Sequence, residues 1–451
     1  MQFQLTTDFI EKVTQLIAEK DGNGLRDFLH DLHFADVAEL LEELDSDEAT
    51  YLIKSLESEI TSEALLELDE DDREKILSRL SPKEIAKEIE EMDTDDAADV
   101  VAELDDHIQK KVIEIIEDQE HASDIVELLT YDEDTAGALM AKELVQVKET
   151  WTVAGCVREM RRQAENVTRV HSIYVTDEDG KLKGRLSLKD LLTASAKTHI
   201  SEVYIPKVDY VTVDTEDEEV ARIMHKYDLE AIPVVDENGV LVGRITIDDI
   251  VDFIKDEAEK DYQMAAGISQ DVEADDSILE LTKARLPWLI LGLFGGLASV
   301  FILEGFEGIM LNPEIKKLFF FTPLIAAMAG NVGVQSSAII VQGLANDVVK
   351  GSLWRRLLKE VGLSLINGII LGILVILFGL VMNYEIEFSI TIAISMLSVI
   401  IIAALIGTFV PIVLDKKGID PAIATGPFIT TSNDIFGIFL FFYIAKIILG
   451  F

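Results

Sequence analysis

The segment ATGPFITTSNDIFG (residues 424–437) places one carboxylate, Asp434, inside a run that is otherwise free of charge from residue 421 to 445. A run of this length reaches the roughly 20 apolar residues that cross about 30 Å of hydrocarbon as a helix. A carboxylate at that depth is costly unless it faces water, a cation or a partner, so an intramembrane Asp indicates a functional site. The alternative interpretation is a protonated or hydrogen-bonded Asp that ties two helices together.

Four further runs lie upstream and are also long and nearly free of charge: residues 286–303, 318–345, 361–384 and 388–414. Buried helices of a large soluble domain would need five such runs in succession without a polar face. The sequence therefore predicts five transmembrane helices in a lipid bilayer.

Basic residues concentrate in two short loops: Lys350, Arg355, Arg356 and Lys359 between predicted helices two and three, and Lys416 and Lys417 between four and five. Short loops rich in Lys and Arg face the cytoplasm. We therefore expect a cell-membrane protein with a cytoplasmic N-terminal half and an external C-terminus.

The net charge of −44 belongs entirely to residues 1–283, because residues 284–451 hold ten acidic and ten basic side chains. An acidic half attracts cations and disfavours nucleic acid, which needs a basic face. The single cysteine, Cys156, excludes a disulfide framework and a four-cysteine zinc site. No nucleophile, base and orienting group occur in a recognisable arrangement, so an enzyme is not expected.

Oxygen-bearing side chains surround the intramembrane aspartate. Thr430 and Asn433 precede it, and the second span carries Asn331 and Gln335 within PLIAAMAGNVGVQSS (323–337). Oxygen donors without His or Cys suit hard cations such as magnesium or calcium. These residues and Asp434 are the candidate ion pathway, although amides and small residues also serve as ordinary helix-packing devices.

Proline and glycine interrupt both of these spans. Gly426 and Pro427 are expected to weaken the fifth helix, and Pro323, Gly330 and Gly333 the second, so that backbone carbonyls can face a cavity.

Residues 1 to about 130 contain a repeat with a spacing of 24: ELDSDEATYLIKSL (43–56), ELDEDDREKILSRL (67–80) and EMDTDDAADVVAEL (91–104). Each copy begins with an acidic helix cap and continues with apolar residues at helical spacing. The repeat predicts an all-α superhelical array with an acidic face.

A second repeat has an offset of 59, with IYVTDEDGKLKGRLSLKDLL (173–192) matching IPVVDENGVLVGRITIDDIV (232–251). Each copy predicts a strand, a turn, a second strand and a helix. This pattern resembles the α/β CBS pair. The resemblance implies an adenine-nucleotide site, with ATP as the candidate ligand, at Asp190 or Asp249; many CBS pairs bind nothing, so both outcomes stay open.

The order of these modules resembles the MgtE family of magnesium channels over almost the whole chain. The matching motifs are YDEDTAGALM (131–140), RLPWL (285–289), GNVGVQSS (330–337), DPA (420–422) and TTSND (430–434). The implied domains are a helical-repeat domain (1–130), CBS 1 (131–198), CBS 2 (199–256), an acidic connecting or plug helix (257–283) and a five-helix pore domain (284–451).

The resemblance implies a homodimer whose pore lies on the two-fold axis and is lined by helices two and five. It implies that Asp434 contacts hydrated magnesium and that Asn331 is a pore-facing amide. Two departures stand out. Val334 occupies a position where some members carry a second Asn, and Thr430 occupies a position that is small in other members.

The segment VDFIKDEAEKDYQMAAGI (251–268) predicts an acidic helix that resembles the family's plug helix. Its carboxylates Asp252, Glu257 and Asp261 are expected to reach the cytoplasmic pore mouth near Asp420. The resemblance also suggests cytosolic magnesium ligands at Asp95, Asp99, Glu216, Glu218, Asp228 and Asp249. Lys260 departs from the family, because an acidic residue is expected at that position.

Together these features predict a magnesium-selective channel that is driven by the membrane potential and closed by cytosolic magnesium. One alternative is a proton- or sodium-coupled divalent-cation transporter that uses Asp434 as its coupling carboxylate. Another is a membrane receptor in which the CBS pair signals nucleotide level without transport. The sequence leaves open whether other divalent cations pass.

Overall fold

The computed structural model describes residues 4–450 except 165, 166, 168, 270, 271, 273, 275, 312–314, 346, 347, 350 and 425. Lys350, which entered the orientation argument, lies outside the described residues. The chain divides into two compact units, Met1–Ile254 and Lys255–Phe451, and the division falls within one helix.

The first part of the chain forms ten short helices, which confirms the predicted all-α array. They are α1 (Thr7–Ala18), α2 (Gly22–Leu29), α3 (Phe34–Glu42), α4 (Ser46–Ser55), α5 (Ser58–Leu66), α6 (Glu70–Leu77), α7 (Pro82–Ile89), α8 (Thr94–Ala102), α9 (Asp106–Ile115) and α10 (Gln119–Leu128).

The 24-residue repeat places an aspartate before α4, α6 and α8. In the first two copies, Asp45 and Asp69 accept hydrogen bonds from free amides of the helix that follows. In the third copy Asp93 makes no such cap bond, and its Oδ2 lies 3.5 Å from a guanidinium nitrogen of Arg244. One copy of the repeat has therefore exchanged a local capping role for a contact outside the array.

The second repeat forms two copies of a strand-and-helix module, which confirms the CBS pair. The first contains β1 (Val145–Lys148), α11 (Val153–Gln163), β2 (Ile173–Thr176), β3 (Leu182–Leu186) and α12 (Leu188–Thr193). The second contains β4 (Val211–Thr212), α13 (Asp217–Tyr227), β5 (Ala231–Val235), β6 (Leu241–Thr246) and α14 (Ile247–Ala266).

Both sheets have the same topology. The first strand pairs parallel with the second, which pairs antiparallel with the third. The turns contain Gly180 and Gly239, whose φ angles of 83° and 79° lie in the left-handed region that favours glycine. Predicted CBS 2 and the predicted plug helix share α14, which continues without a break from Ile247 to Ala266.

The buried apolar residues divide unequally between the two CBS copies. The helical array and the second copy share one hydrophobic core, in which Ile125 of the array and Met140 of the connecting segment join Met224 and Ile245. The first copy has a separate core that contains Cys156. The sequence repeat did not predict this asymmetry.

Among the described residues of the second unit, five helices are long and apolar enough to cross a membrane, which confirms the predicted number of spans. They are α15 (Ile278–Gly305), α16 (Thr322–Ala345), α17 (Leu353–Val381), α18 (Ile386–Asp415) and α19 (Gly426–Leu449). The fifth helix begins at Gly426 rather than at Pro421, because residues Pro421–Ala424 form a separate 3-10 turn.

Arg73 joins three parts of the array. Its Nε donates to Glu103 Oε2 at 3.0 Å, and its Nη1 donates to the carbonyls of Leu65 and Leu66 at the end of α5 and of Leu68 just after it. We expect Arg73→Lys to lower the free energy of unfolding of the array by about 2 kcal/mol, because an ammonium cannot reproduce this forked geometry. Urea titration followed by circular dichroism measures the change.

Arg79→Lys is the matched control, because Arg79 pairs with Asp47, whose side chain is 88% exposed. We expect this variant to unfold within about 0.5 kcal/mol of the wild type. Equal losses in the two variants would contradict the role assigned to Arg73.

Candidate ion pathway and acidic cation sites

A cavity of about 310 Å³ lies between α16 and α19. It is lined by Ala326, Ala327, Gly330, Asn331, Val334, Gln335, Thr430 and Asp434. The structure therefore brings together four of the five residues predicted for the ion pathway.

Helical phase explains which polar residues reach the cavity. Residues four apart share a helix face, so Asn331 and Gln335 line one wall and Thr430 and Asp434 the other. Thr431, one position further on, packs instead against α15, where a Cβ added at Gly295 would lie 3.2 Å from its Cβ. The run TTSND thus distributes its side chains around α19.

Asn433 does not line this cavity, contrary to the sequence-based expectation. Its side chain is 1% exposed, and neither its nitrogen nor its oxygen has a hydrogen-bond partner among the described residues. It lies against α16, where a Cβ added at Gly333 would come within 3.0 Å of the Asn433 Cγ. Its position one residue before Asp434 turns it about 100° away from the cavity.

The glycines of α16 serve close packing. The helix is continuous from Thr322 to Ala345, so the expected weakening at Gly330 and Gly333 is wrong. A Cβ at Gly330 would lie 3.3 Å from Thr430 Cγ2. The Gly426–Pro427 pair stands at the start of α19, where proline fits because the first amides of a helix lack helical partners.

Glu360 is a carboxylate that sequence reasoning missed. It lies in α17 and accepts a hydrogen bond of 2.6 Å from Ser336 of α16. Glu360 stands immediately before the apolar run 361–384, which could have marked it as a carboxylate at the membrane boundary. Its partner Ser336 lies on another helix and could not be predicted from the sequence.

The cavity can hold a hydrated cation. Six waters of about 30 Å³ each occupy about 180 Å³, which is less than the cavity volume. Its polar walls carry a carboxylate, two amides and a hydroxyl, all with oxygen acceptors for water protons. These oxygen acceptors suit an ion that retains its water shell.

A second group of carboxylates lies in the first unit, where α8 of the array meets the start of α14. We call Asp95, Asp96, Asp99 and Asp249 the acidic cluster. Burial and the neighbouring Asp96 and Asp249 raise the pKa of Asp95 well above its usual value. Burial and Asp249 raise the pKa of Asp96 to about 8. The surrounding protein atoms raise the pKa of Asp99 to about 6, with Glu103 contributing, although the residue is exposed on α8. Burial also raises the pKa of Asp249.

The cluster includes three of the predicted cytosolic ligands and adds Asp96. The signal for Asp96 was its spacing of three from Asp99, which places both on one face of α8. Carboxylates that raise one another's pKa in this way attract a cation.

The two candidate nucleotide residues have equivalent local bonds. Asp190 Oδ2 accepts from Ser187 Oγ at 2.6 Å, and Asp249 Oδ2 accepts from Thr246 Oγ1 at 2.8 Å. Their surroundings differ, because Asp249 belongs to the acidic cluster and Asp190 does not.

A third group of carboxylates lies in the second unit. Burial raises the pKa of Asp261 in α14 to about 6, and Asp420 and Glu257 contribute to the shift. The positive charge of Lys260 opposes this rise in the pKa of Asp261, because it favours the ionised carboxylate. Lys260 Nζ also lies 3.2 Å from Glu257 Oε2. Asp261 is therefore influenced by the charges of both Glu257 and Asp420, and the predicted grouping of Asp252, Glu257 and Asp261 at the pore mouth stays a prediction.

The other predicted ligands lie apart from one another. Glu216 and Glu218 are at the start of α13, whereas Asp228 is its C-cap at the other end, and Asp252 is exposed on α14. In the part of the chain that the structure describes, no three His, Cys, Asp or Glu side chains form a group that could hold a metal ion.

Comparison with known families gives three matches. A model described as a divalent cation transporter, MgtE, matches residues 322–444, and the MgtE intracellular N domain matches 32–134. CBS domain models match 136–197 and 200–256.

The magnesium transporter MgtE of Thermus thermophilus is 36% identical over 330 residues, which are 72% of this chain and 73% of that protein. The one from Bacillus subtilis is 35% identical over 319 residues, or 70% of each chain.

Two solved structures resemble the N-terminal part. The cytosolic domain of the Mg²⁺ channel MgtE in complex with ATP has a TM-score of 0.51 and 36% identity, and covers 54% of this chain and 99% of its own. The soluble part of a magnesium transporter has a TM-score of 0.50 and 29% identity, and covers 55% of this chain and 98% of its own.

The acidic cluster predicts a pH dependence of stability in the presence of a chelator. A carboxyl group whose pKa is higher in the folded than in the unfolded state stabilises the protein at low pH, and this contribution falls as the pH rises towards the folded pKa. The unfolded pKa is near 3.8, and the folded pKa values are about 6 for Asp99 and about 8 for Asp96. The stabilising contribution is therefore lost between about pH 4 and pH 8. We expect the apparent melting temperature at a fixed scan rate to fall between pH 5 and 8.5.

Asp96→Asn should reduce this pH dependence, whereas Asp47→Asn, a change at an 88% exposed side chain, should leave it unaltered. An unchanged slope in Asp96→Asn would contradict the assignment of the shift to the cluster.

Proposed function

The chain belongs to the MgtE family of magnesium transporters, and on this premise we propose that it is a magnesium-selective channel of the cell membrane that cytosolic magnesium closes. The observation that carries the proposal is the cavity in which Asp434 faces Asn331, Gln335 and Thr430. The chain is a multi-pass membrane protein, with five helices long enough to span a bilayer.

Asp434 attracts the ion at the cavity. Magnesium releases its inner waters reluctantly, so a carboxylate and amides that contact those waters recognise it without dehydrating it. In a homodimer with the cavity on the two-fold axis, two Asp434 side chains would match the double charge of the ion. Ligands that contact only the ion's waters hold it less tightly than direct protein ligands would, so the ion can leave.

The membrane potential drives entry. It contributes about 2.3 kcal/mol per charge per 100 mV, and twice as much for a divalent ion. This direction of transport requires the proposed orientation, with the N-terminal half in the cytoplasm and the C-terminus outside.

Cytosolic magnesium closes the pore by binding between carboxylates that otherwise repel one another. The acidic cluster and the group formed by Glu257, Asp261 and Asp420 are the proposed sensors. Hydrated magnesium can bridge carboxylates within each group through its waters, although no three side chains among the described residues form a compact cage. Glu216, Glu218, Asp228 and Asp252 remain proposed ligands, whose partners would lie on another domain or on the second protomer.

The proposed domain boundaries follow the modules: a helical array at 1–130, CBS copies at 131–198 and 199–256, a plug helix at 257–283 and the pore at 284–451. An adenine nucleotide such as ATP would bind the CBS pair. Asp190 is the better ribose ligand, because the acidic cluster around Asp249 would repel a triphosphate. The similar cytosolic domain of the Mg²⁺ channel MgtE, which was crystallised in complex with ATP, supports this proposal.

Magnesium flux into liposomes that contain a trapped magnesium dye tests the pore assignment. We expect Asp434→Asn to reduce flux at least about tenfold, because the amide keeps the size of the side chain and removes its charge. Free magnesium on the cytoplasmic face is stepped from micromolar to about ten millimolar, and wild-type flux should stop at the high end.

Glu387→Gln is the matched control. It removes a carboxylate from the first turn of α18, where the side chain is exposed and does not line the cavity. Normal flux in Asp434→Asn would overturn the pore assignment. Flux that follows an imposed proton or sodium gradient would favour the coupled transporter.

A further inference from the structure

The C-terminal end of α14 has a well-defined backbone structure. Gly267 donates its amide to the Met264 carbonyl and Ile268 donates to the Gln263 carbonyl, both at 3.0 Å. These two bonds form a Schellman motif, which ends a helix with a glycine in the left-handed region. The φ of Gly267 is 83°, as this motif requires.

This helix end lies directly against the start of α19. A Cβ added at Gly426 would lie 3.1 Å from the carbonyl carbon of Ala265, closer still to its oxygen, and 3.6 Å from the Gly267 nitrogen. In return, a Cβ added at Gly267 would lie 3.0 Å from Pro427 Cδ and closer to Cγ. Both positions therefore depend on glycine, because a side chain at either would push the two helix ends apart.

The two helix ends are electrically complementary. The last carbonyls of α14 carry partial negative charge, and the first amides of α19 carry partial positive charge. This contact is made by backbone atoms, so it needs no cation to form. The carboxylates Glu257, Asp261 and Asp420 act in the opposite sense, since they repel one another unless a cation binds.

We propose that the contact of Gly267 with Gly426, which we call the glycine contact, is the element that holds the gate closed. The carboxylates decide at which magnesium concentration it forms, and the contact then fixes the start of α19. Asp434 lies eight residues further along the same helix, about 12 Å away, so it follows any movement of that helix end. This inference rests on the proposed function and assigns the gate to particular backbone positions.

The test uses the liposome flux assay with Gly426→Ala and Gly267→Ala. Each variant should conduct at micromolar cytoplasmic magnesium, and its half-closing magnesium concentration should rise about tenfold or more. Gly362→Ala and Gly418→Ala are the controls, since an added Cβ meets nothing within 4 Å at either position. Gly418 also has a positive φ of 68°, so it reproduces the backbone strain expected at Gly267. Both controls should close like the wild type.

Two outcomes would overturn the proposal. Closure at the wild-type concentration in both contact variants would mean that the contact is dispensable. Loss of flux at micromolar magnesium in these variants, with normal controls, would assign the contact to the folding of the pore rather than to its gate.

A cysteine pair separates failure of this inference from failure of the proposed function. Gly267→Cys with Pro427→Cys places two thiols across the contact, and loss of the proline ring removes the two atoms that a Cβ at Gly267 would meet most closely. The native Cys156 is buried. We expect oxidation to crosslink the pair and stop flux even at micromolar magnesium, and a reductant to restore it, while each single variant is insensitive. This result would support the contact even if the wild type never closed with magnesium. A pair that fails to crosslink, or that conducts when crosslinked, would overturn it.

Discussion

The burial of neighbouring carboxylates where α8 meets the start of α14 is the constraint on which the acidic half of this structure depends. The acidic cluster holds Asp95, Asp96, Asp99 and Asp249 where the surrounding protein atoms raise the pKa of each. Such an arrangement is unfavourable unless protons or cations neutralise it. The proposed sensor role of the acidic half follows from this electrostatic cost, because a bound cation would lower it.

The membrane unit handles charge differently. It has few charges in its spans, and it places the Asp434 carboxylate beside a cavity lined by oxygen-bearing side chains and small residues. Small residues let α16 and α19 approach closely enough to form its walls. One half of the protein therefore concentrates carboxylates, and the other places a single carboxylate beside a cavity.

The sequence predicted the modules well because each has its own periodicity. The 24-residue repeat, the 59-residue repeat and the five apolar runs correspond to the array, the CBS pair and α15–α19. The sequence pattern did not predict the rotation of α19 about its axis. This rotation directs Asp434 into the cavity and its neighbour Asn433 against α16. The pattern also could not predict contacts between distant segments, such as Ser336 with Glu360 or Ala265 with Gly426. These depend on tertiary packing rather than on local pattern.

The two CBS copies repeat in sequence but differ in packing, because their buried apolar residues belong to different hydrophobic cores. The core of the second copy is continuous with the core of the helical array, so β6 and the start of α14 share packed side chains with the array. The first copy has its own core, and its bonds to its twin include those at the two hairpins, where the amides of Leu182 and Leu241 donate to the carbonyls of the turn glycines Gly239 and Gly180. We therefore expect a change in the core of the second copy to reach the array, and a change in the core of the first copy to stay within that copy.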